Sequence, residues 1–227
     1  MSHPRVDSPP VNPVGVWTIV VAGGSGLRFG ARKQFIDLDG KSVIAHAVDT
    51  AAQTSEGVVV VVPSDAVSSM ETGLGWPTVS GGDTRAGSVR AGLDAVPDTA
   101  EVIIVHDAAR PLATSATFSR VVTAVRQGAK AVVPAVPLAD SIRHVEGYPV
   151  DRSTLRAVQT PQGFEATALR DAHAAGGDAT DDATLVGQLG HDVVIVDGDP
   201  ENRKLTVASD LISAEALLIA RRTEETH

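Results

Sequence analysis

Five consecutive valines, Val58 to Val62, run directly into Pro63. A strand covered on one face alternates apolar and polar side chains, so an unbroken β-branched run predicts a strand buried on both faces, as in a parallel sheet packed between helices. Other segments repeat the theme. Trp17-Thr18-Ile19-Val20-Val21 stops in a glycine-rich turn, and Val102 to Val105, Ala131-Val132-Val133 and Val193 to Val196 are further strand candidates. Between them apolar residues return at helical spacing: Val43, Ile44, Ala47 and Val48, then Ala86, Val89, Leu93 and Val96, then Val121, Val122 and Val125. Leu211 to Ile219 fall in a terminal helix, with Arg221 and Arg222 in its last turn, where cations suit the helix dipole. Strands alternating with helices predict an α/β domain with a mostly parallel sheet, whose ligands bind beyond the carboxyl ends of the strands.

Two segments stand outside this alternation. Residues 137–158 are polar, carry Pro137, Gly147 and Pro149, and have no clear period, which predicts an excursion or hairpin arm. Residues 1–14 hold four prolines and no periodicity, and are expected to be a disordered leader to a single domain over residues 15–227.

Composition excludes several classes of function. The net charge is −9, and the chain has only two tryptophans, one tyrosine and four phenylalanines. Such a surface repels a phosphate backbone and offers few stacking platforms, so no nucleic-acid partner is expected. With no cysteine, disulfides, zinc-thiolate sites and thiol nucleophiles are ruled out. The longest apolar run is far too short for a bilayer, and the first residues lack a basic-then-apolar signal. A soluble, cytoplasmic protein without a membrane partner is the expectation.

The strongest local signal is the first strand followed by Ala22-Gly23-Gly24-Ser25-Gly26-Leu27-Arg28 and then Arg32-Lys33-Gln34. Glycines after a strand let backbone N–H groups approach phosphate oxygens, and nearby cations balance their charge. The alternative is a tight turn with solvated basic residues. The loop holds no Gly-Lys followed by Ser or Thr, so it is not a Walker A loop. As a dinucleotide fingerprint it puts Phe29 where the sixth position needs glycine. The acidic residue that should follow by ~20 residues would be Asp65, about twice too far along.

Other candidates each have a structural alternative. Asp107 ends a strand where a carboxylate meets the ligand crevice and suits Mg²⁺, which takes one or two carboxylates plus substrate phosphates, or it caps the next helix. His106 beside it fits a packed or capping histidine. Asp83, Thr84, Arg85 and Ser88 follow the double glycine Gly81-Gly82, where Asp83 is an N-cap or the four residues recognise a base edge. Lys204, in Asn202-Arg203-Lys204-Leu205-Thr206, is a surface lysine or a site cation. Thr180-Asp181-Asp182 reads as a cap.

Taken in order, Ala22-Gly23-Gly24-Ser25-Gly26-x-Arg28, Lys33-Gln34, Gly81-Gly82-Asp83-x-Arg85, His106-Asp107-Ala108-Ala109-Arg110-Pro111, Gln159-Thr160-Pro161-Gln162, Thr180-Asp181 and Lys204-Leu205-Thr206 resemble the 2-C-methyl-D-erythritol 4-phosphate cytidylyltransferase family of the non-mevalonate isoprenoid pathway. The resemblance runs from about residue 16 to residue 220. It implies a Rossmann-like three-layer α/β fold with a small extended β-arm, a homodimer in which that arm reaches the partner subunit, and the joining of CTP to a sugar-alcohol phosphate with release of pyrophosphate. By matching positions, Ala22, Gly23, Gly24, Gly26, Gly82, Asp83 and Ser88 would hold the nucleotide, and Asp107 would bind Mg²⁺. Arg28, Lys33 and Lys204 would surround the reacting α-phosphate. Arg110, Ser141, Arg152, Thr160 and Thr180 would hold the second substrate, with Ser141 and Arg152 coming from the other subunit. The chain departs from the family pattern at Arg32, commonly proline, at a short loop between Arg28 and Lys33, and at Ser141, often threonine.

Neighbouring readings are the same chemistry on ribitol 5-phosphate, a nucleotidyltransferase for GTP or UTP, and a nucleotide-binding regulatory protein without activity. The mark of the last would be loss of Lys33, Asp107 or Lys204, and all three are present.

Overall fold

β1 (Val16–Val21) lies inside the sheet, flanked on both sides by apolar strands. It pairs in parallel with the valine strand β4 (Gly57–Val62) on one side and with β6 (Val102–Asp107) on the other, and every residue of those two strands is buried. This is a computed structural model, and it describes residues 12–23 and 32–225. Between β1 and β4 lie the two-stranded hairpin β2 (Asp37–Leu38) and β3 (Lys41–Ser42) and the helix α1 (Val43–Ala52). A Gly-Lys-Ser triplet does occur at Gly40-Lys41-Ser42, but Phe35 stands where a Walker A loop needs its first glycine. Lys41 is in the hairpin, paired with Asp49 at 2.6 Å, and Ser42 caps α1 by accepting from the Ala45 N–H.

The chain continues through α2 (Val67–Leu74), β5 (Thr78–Ser80) and α3 (Arg85–Leu93), then β6, α4 (Ser115–Arg126) and β7 (Ala131–Pro137). After an arm come β10 (Arg156–Val158), β11 (Gln162–Glu165), α5 (Ala166–Ala174), α6 (Asp182–Gln188), β12 (Val193–Asp197) and α7 (Ser209–Glu225). The valine run shows why three layers form. Val58, Val60 and Val62 pack with α1 and α4 through Ile44, Val48 and Val121. Val59 and Val61 face the other way, onto Val89 and Leu93 of α3 and Leu169 of α5. Alternate side chains of one strand thus enter two cores, as period-2 geometry dictates.

The sheet is parallel where strands and helices alternate and antiparallel where they do not. β4 also pairs β5 in parallel, and β12 pairs β7 in parallel. β11 runs antiparallel to both β6 and β7, and β10 antiparallel to β7. β10 and β11 meet β7 along the same edge, since β12 pairs with Ala131 through Ala135 and so takes the other. β10 and β11 follow one another with no helix between them, which is why alternation did not reveal them. The excursion expected over residues 137–158 is shorter than that span. It holds the hairpin β8 (Ile142–Arg143) and β9 (Pro149–Val150), turned at Gly147 with φ 96, but its last three residues are β10 of the main sheet.

Three smaller differences have local causes. The helix expected to include Val96 ends at Leu93, although Val96 still joins the same core. Residues 12–14, counted in the leader, are held by Arg126, which donates to the carbonyl oxygens of Asn12 at 2.8 Å and Val14 at 2.6 Å. Arg221 lies one residue before the last turn of α7, and it donates to Leu112 O (3.1 Å) and Glu201 (2.9 Å) instead of serving the helix end.

Gly163, in β11, sits under α4 with no room to spare. A Cβ there would lie 2.3 Å from Val121 Cγ1 and 3.2 Å from Val125 Cγ2. Gly163→Ala is expected to destabilise the fold by about 1–3 kcal/mol through overpacking, lowering Tm by about 2–4 °C per kcal/mol in a domain of this size. Thermal unfolding by circular dichroism checks this, and an unchanged Tm would mean that α4 shifts at no cost.

Candidate active site

The carboxyl ends of β1 and β6 are direct neighbours, with Val21 opposite Asp107 and the Ala108 N–H donating to Val21 O at 3.0 Å. This is the crevice position of an open α/β sheet. On the β4 side, the Ala22 N–H donates to Val61 O (2.7 Å) and the Gly81 N–H to Val62 O (2.8 Å), drawing the turns after β1 and β5 together. Gly23 makes a close fit there. A Cβ on it would stand 3.1 Å from Ser88 Oγ and 3.9 Å from the Gly81 Cα. The Ser88 hydroxyl donates to Thr84 O (3.0 Å), with Gly82 O at 3.3 Å, and Gln34 Nε2 donates to Ala22 O (2.9 Å). Ala22, Gly23, Gly82 and Ser88 therefore form one recess lined with backbone. Asp83 is exposed at its rim and is not the cap of α3, because Thr84 accepts from the Gly87 N–H instead. Gly24, Gly26 and Arg28 lie outside the described residues.

The charged half of the site begins at Asp107. Lys204 Nζ donates to its Oδ2 at 2.7 Å, and Arg85 Nε lies 3.6 Å from its Oδ1. Burial pushes the Asp107 carboxyl up, but Lys204, Arg85 and Arg110 outweigh it and hold the group at about 2. Asp107 caps no helix, since α4 begins only at Ser115 with Thr114 as its cap. Among the described residues no group of three His, Cys, Asp or Glu could hold a metal. One permanently ionised carboxylate beside a backbone recess nevertheless suits Mg²⁺, which completes its shell with phosphate oxygens and water.

Arg85, read from the sequence with Asp83, Thr84 and Ser88 as a candidate for base recognition, links the two halves. It begins α3, and its NH1 donates to Asp182 Oδ2 at 2.6 Å, while Asp182 Oδ1 lies 3.0 Å from His173 Nε2. Asp182 and His173 are almost fully buried. Burial lowers the Arg85 guanidinium, but the carboxylates of Asp182 and Asp107 more than reverse this, so it stays protonated. Asp181 caps α6 by accepting from the Thr184 N–H (2.9 Å), as the sequence suggested, and that frees its neighbour Asp182 to turn inward. Two adjacent acids at a helix start, one more than a cap requires, were the only available signal.

Thr160 is buried against the back of Asp107. Its Oγ1 accepts from the Asp107 N–H (3.0 Å) and lies 3.1 Å from His106 Nδ1, while its own carbonyl accepts from Asn202 Nδ2 (2.8 Å). The Thr160–Pro161 bond is cis. His106 is fully buried, 5.2 Å from the Phe118 ring, so the packed reading holds. Burial drives its imidazole down from 6.5 to about 4, with Asp107 pulling up and Arg110 pushing down. Between those values the unfolded chain binds a proton that the folded chain refuses, so stability is complete above pH 6.5 and falls as pH drops towards 4. The loss is expected to reach about 3 kcal/mol. Urea unfolding of the protein and of His106→Asn across this range checks it, and parallel pH profiles would show that His106 is not the cause.

The remaining candidates divide. Lys33 Nζ donates to Leu205 O at 2.6 Å, bringing both lysines to the same segment. Arg110 is turned inward, NH1 to Asn202 O (2.8 Å) and NH2 to Val158 O (3.3 Å), so in this state it ties backbones together at the edge of the site. Ser141 and Arg152 are exposed on the arm, where Arg152 donates to Ala139 O. Among the described residues, no hydrogen bond or ion pair joins either of them, or the exposed Thr180, to Asp107, Lys33 or Lys204.

A glycine-lined recess, an ionised carboxylate and converging cations at the carboxyl ends of a parallel sheet are the parts a nucleotidyltransferase needs. Comparisons with known proteins narrow this. Residues 16–220 match the model of the family described as 2-C-methyl-D-erythritol 4-phosphate cytidylyltransferase. A protein of that name from Rhodococcus opacus is 47% identical over 216 residues, covering 89% of this chain and 95% of the relative. One from Streptomyces coelicolor is 42% identical, covering 94% and 88%. The crystal structure of the protein of that name from Thermus thermophilus superposes with a TM-score of 0.77 at 35% identity, covering 88% of this chain and 97% of that one. This chain belongs to the 2-C-methyl-D-erythritol 4-phosphate cytidylyltransferase family.

Proposed function

We propose that the protein joins CTP to 2-C-methyl-D-erythritol 4-phosphate, giving 4-diphosphocytidyl-2-C-methyl-D-erythritol and pyrophosphate. The observation that carries the reading is Lys204 on Asp107 at 2.7 Å, beside a recess built from Gly23, Gly82 and Ser88, in a chain of this family. The phosphate oxygen of the alcohol is already a nucleophile, so no general base is required. It attacks the α-phosphorus of CTP in line. One P–O bond forms as the bond to the bridging oxygen breaks, and pyrophosphate departs with the electron pair.

Catalysis is then positioning and charge neutralisation. The recess of Ala22, Gly23, Gly82, Asp83 and Ser88 holds the base and ribose. Lys204 and Lys33 supply positive charge to the α-phosphate, with Arg28 assigned to the same task. Asp107 would hold Mg²⁺, which supplies neutralisation of the triphosphate and of the leaving group. Arg110 and Thr180 take the edge where the second substrate enters, while Thr160, buried with its Oγ1 on the Asp107 N–H, would act from behind the carboxylate. The exposed Ser141 and Arg152 would serve the site of a partner subunit in a homodimer, which accounts for their distance from the Asp107 cluster. Among the described residues no helix is long and apolar enough to cross a membrane, in keeping with a cytoplasmic enzyme.

The test is pyrophosphate release with Mg²⁺ and CTP, comparing 2-C-methyl-D-erythritol 4-phosphate with ribitol 5-phosphate. Release with the former supports the proposal. Release mainly with ribitol 5-phosphate would move the substrate assignment, and silence with both would overturn the activity.

A further inference from the structure

Lys204 stands on a segment without regular structure, residues 198–206, yet its ammonium sits in hydrogen-bonding range of one carboxylate oxygen. A long flexible side chain on a loose segment would spread over many positions. The segment is held by side-chain amides. Gln159 mimics a strand partner: its Oε1 accepts from the Asp199 N–H (3.1 Å) and its Nε2 donates to Asp199 O (2.8 Å), with Asn202 O a second acceptor at 3.3 Å. Asn202 donates from Nδ2 to Thr160 O (2.8 Å), and its main-chain carbonyl accepts from Arg110 NH1 (2.8 Å). Three residues on, the Leu205 N–H donates to Ala109 O (2.8 Å). Asn202 is 0% exposed and Gln159 5%. Burying two neutral amides is unfavourable unless their groups are bonded; Gln159 uses both its groups, and Asn202 its Nδ2, on backbone of the turn at Asp199 to Asn202 and of Thr160, while Asn202 Oδ1 makes no hydrogen bond among the described residues. Gly198 completes the fit, since a Cβ there would stand 2.7 Å from Gln159 Oε1.

We propose that Gln159 and Asn202 are positioning residues that act through Lys204, fixing its segment to the cis-proline turn and to the Asp107 turn so that the ammonium is in place before substrate arrives. The inference rests on the reading of Lys204 as the cation that meets the reacting phosphate. Neither amide touches substrate. Their effect is geometric, and a displacement of about 1 Å at a reacting group can cost on the order of 100-fold in rate.

The experiment has two readouts. The first is independent of activity: the rate at which a water-soluble acylating reagent modifies Lys204, followed by peptide mass spectrometry, with Lys41, paired to Asp49 on the far hairpin, as internal reference. In Asn202→Ala and in Gln159→Met, which keeps most of the volume and removes the amide, Lys204 is expected to react several-fold faster and Lys41 unchanged. Circular dichroism confirms that the variants are folded. Equal Lys204 rates in a folded variant would overturn the proposal. The second is a double-mutant cycle on kcat. Asn202→Ala is expected to lower kcat by on the order of 10-fold to 100-fold with Lys204 present, and by less than about 2-fold in a Lys204→Ala background, with KM for CTP unchanged. Equal losses in both backgrounds would show that Asn202 acts without Lys204. A wild-type protein silent with both alcohol phosphates would defeat the activity reading, while the acylation rates would still decide the positioning claim.

Discussion

Lys204→Ala is expected to lower kcat for pyrophosphate release by about 100-fold to 1,000-fold, the usual cost of removing one preorganised donor from developing charge. The geometry also says where the loss will fall. The ammonium lies 2.7 Å from Asp107 Oδ2 but is half exposed, so as a structural ion pair it is worth at most about 1 kcal/mol and the Tm should scarcely move. Asp107 stays ionised without it, because Arg85 and Arg110 also hold its carboxyl down. The variant therefore keeps a folded site with an intact carboxylate and lacks one positive charge near the reacting phosphate. Binding of CTP, which relies on the recess around Gly23 and Ser88, should change less than turnover. Lys204→Arg, which keeps the charge but changes its shape and reach, should recover only part of the rate. Steady-state assays at saturating substrates check this, and an unchanged kcat would remove Lys204 from the reaction.

Much of this arrangement was legible in the sequence, and what was not has a physical reason. A run of five valines can hardly be anything but a strand buried on both faces, and β1, β4, β6 and β7 follow from the same rule. β11 escaped because Gln162-Gly163-Phe164-Glu165 is short and owes its place to Gly163, whose missing side chain lets α4 approach. β12 was found, although three of its residues, Val193, Val194 and Ile195, remain substantially exposed. Among site residues, Asp107, Thr160 and Lys204 could be singled out, and the structure brings them together. What the pattern could not convey is that Arg110 spends its guanidinium on the carbonyls of Asn202 and Val158, or that Arg85 bridges Asp107 and Asp182. Partners separated by 97 residues, like Arg85 and Asp182, leave no local period, and only the fold defines them.

Asp182→Ala should produce the largest loss of stability at the site, about 3–5 kcal/mol, because it orphans two groups at once. The carboxylate is 1% exposed and divides its oxygens between Arg85 NH1 at 2.6 Å and His173 Nε2 at 3.0 Å. His173 is buried with its Nδ1 already without a hydrogen bond, so the variant would leave the whole ring unpaired. Arg85, mostly buried, would keep its charge and lose its closer carboxylate. At about 2–4 °C per kcal/mol for this chain length, the Tm should fall by roughly 10 °C. If orphaning is the cause, removing the second partner must help. His173→Leu in the Asp182→Ala background should recover part of the loss, since a buried polar group without a partner is worse than an apolar one of similar size. Calorimetry of the two single variants and the double variant decides this. Additive losses would mean that Asp182 stabilises the fold through Arg85 alone. The activity of the folded fraction is the second discriminator. With Asp182 gone, Arg85 loses the closer contact that helps hold its Nε at 3.6 Å from Asp107 Oδ1, so turnover should fall even at temperatures where the variant remains native.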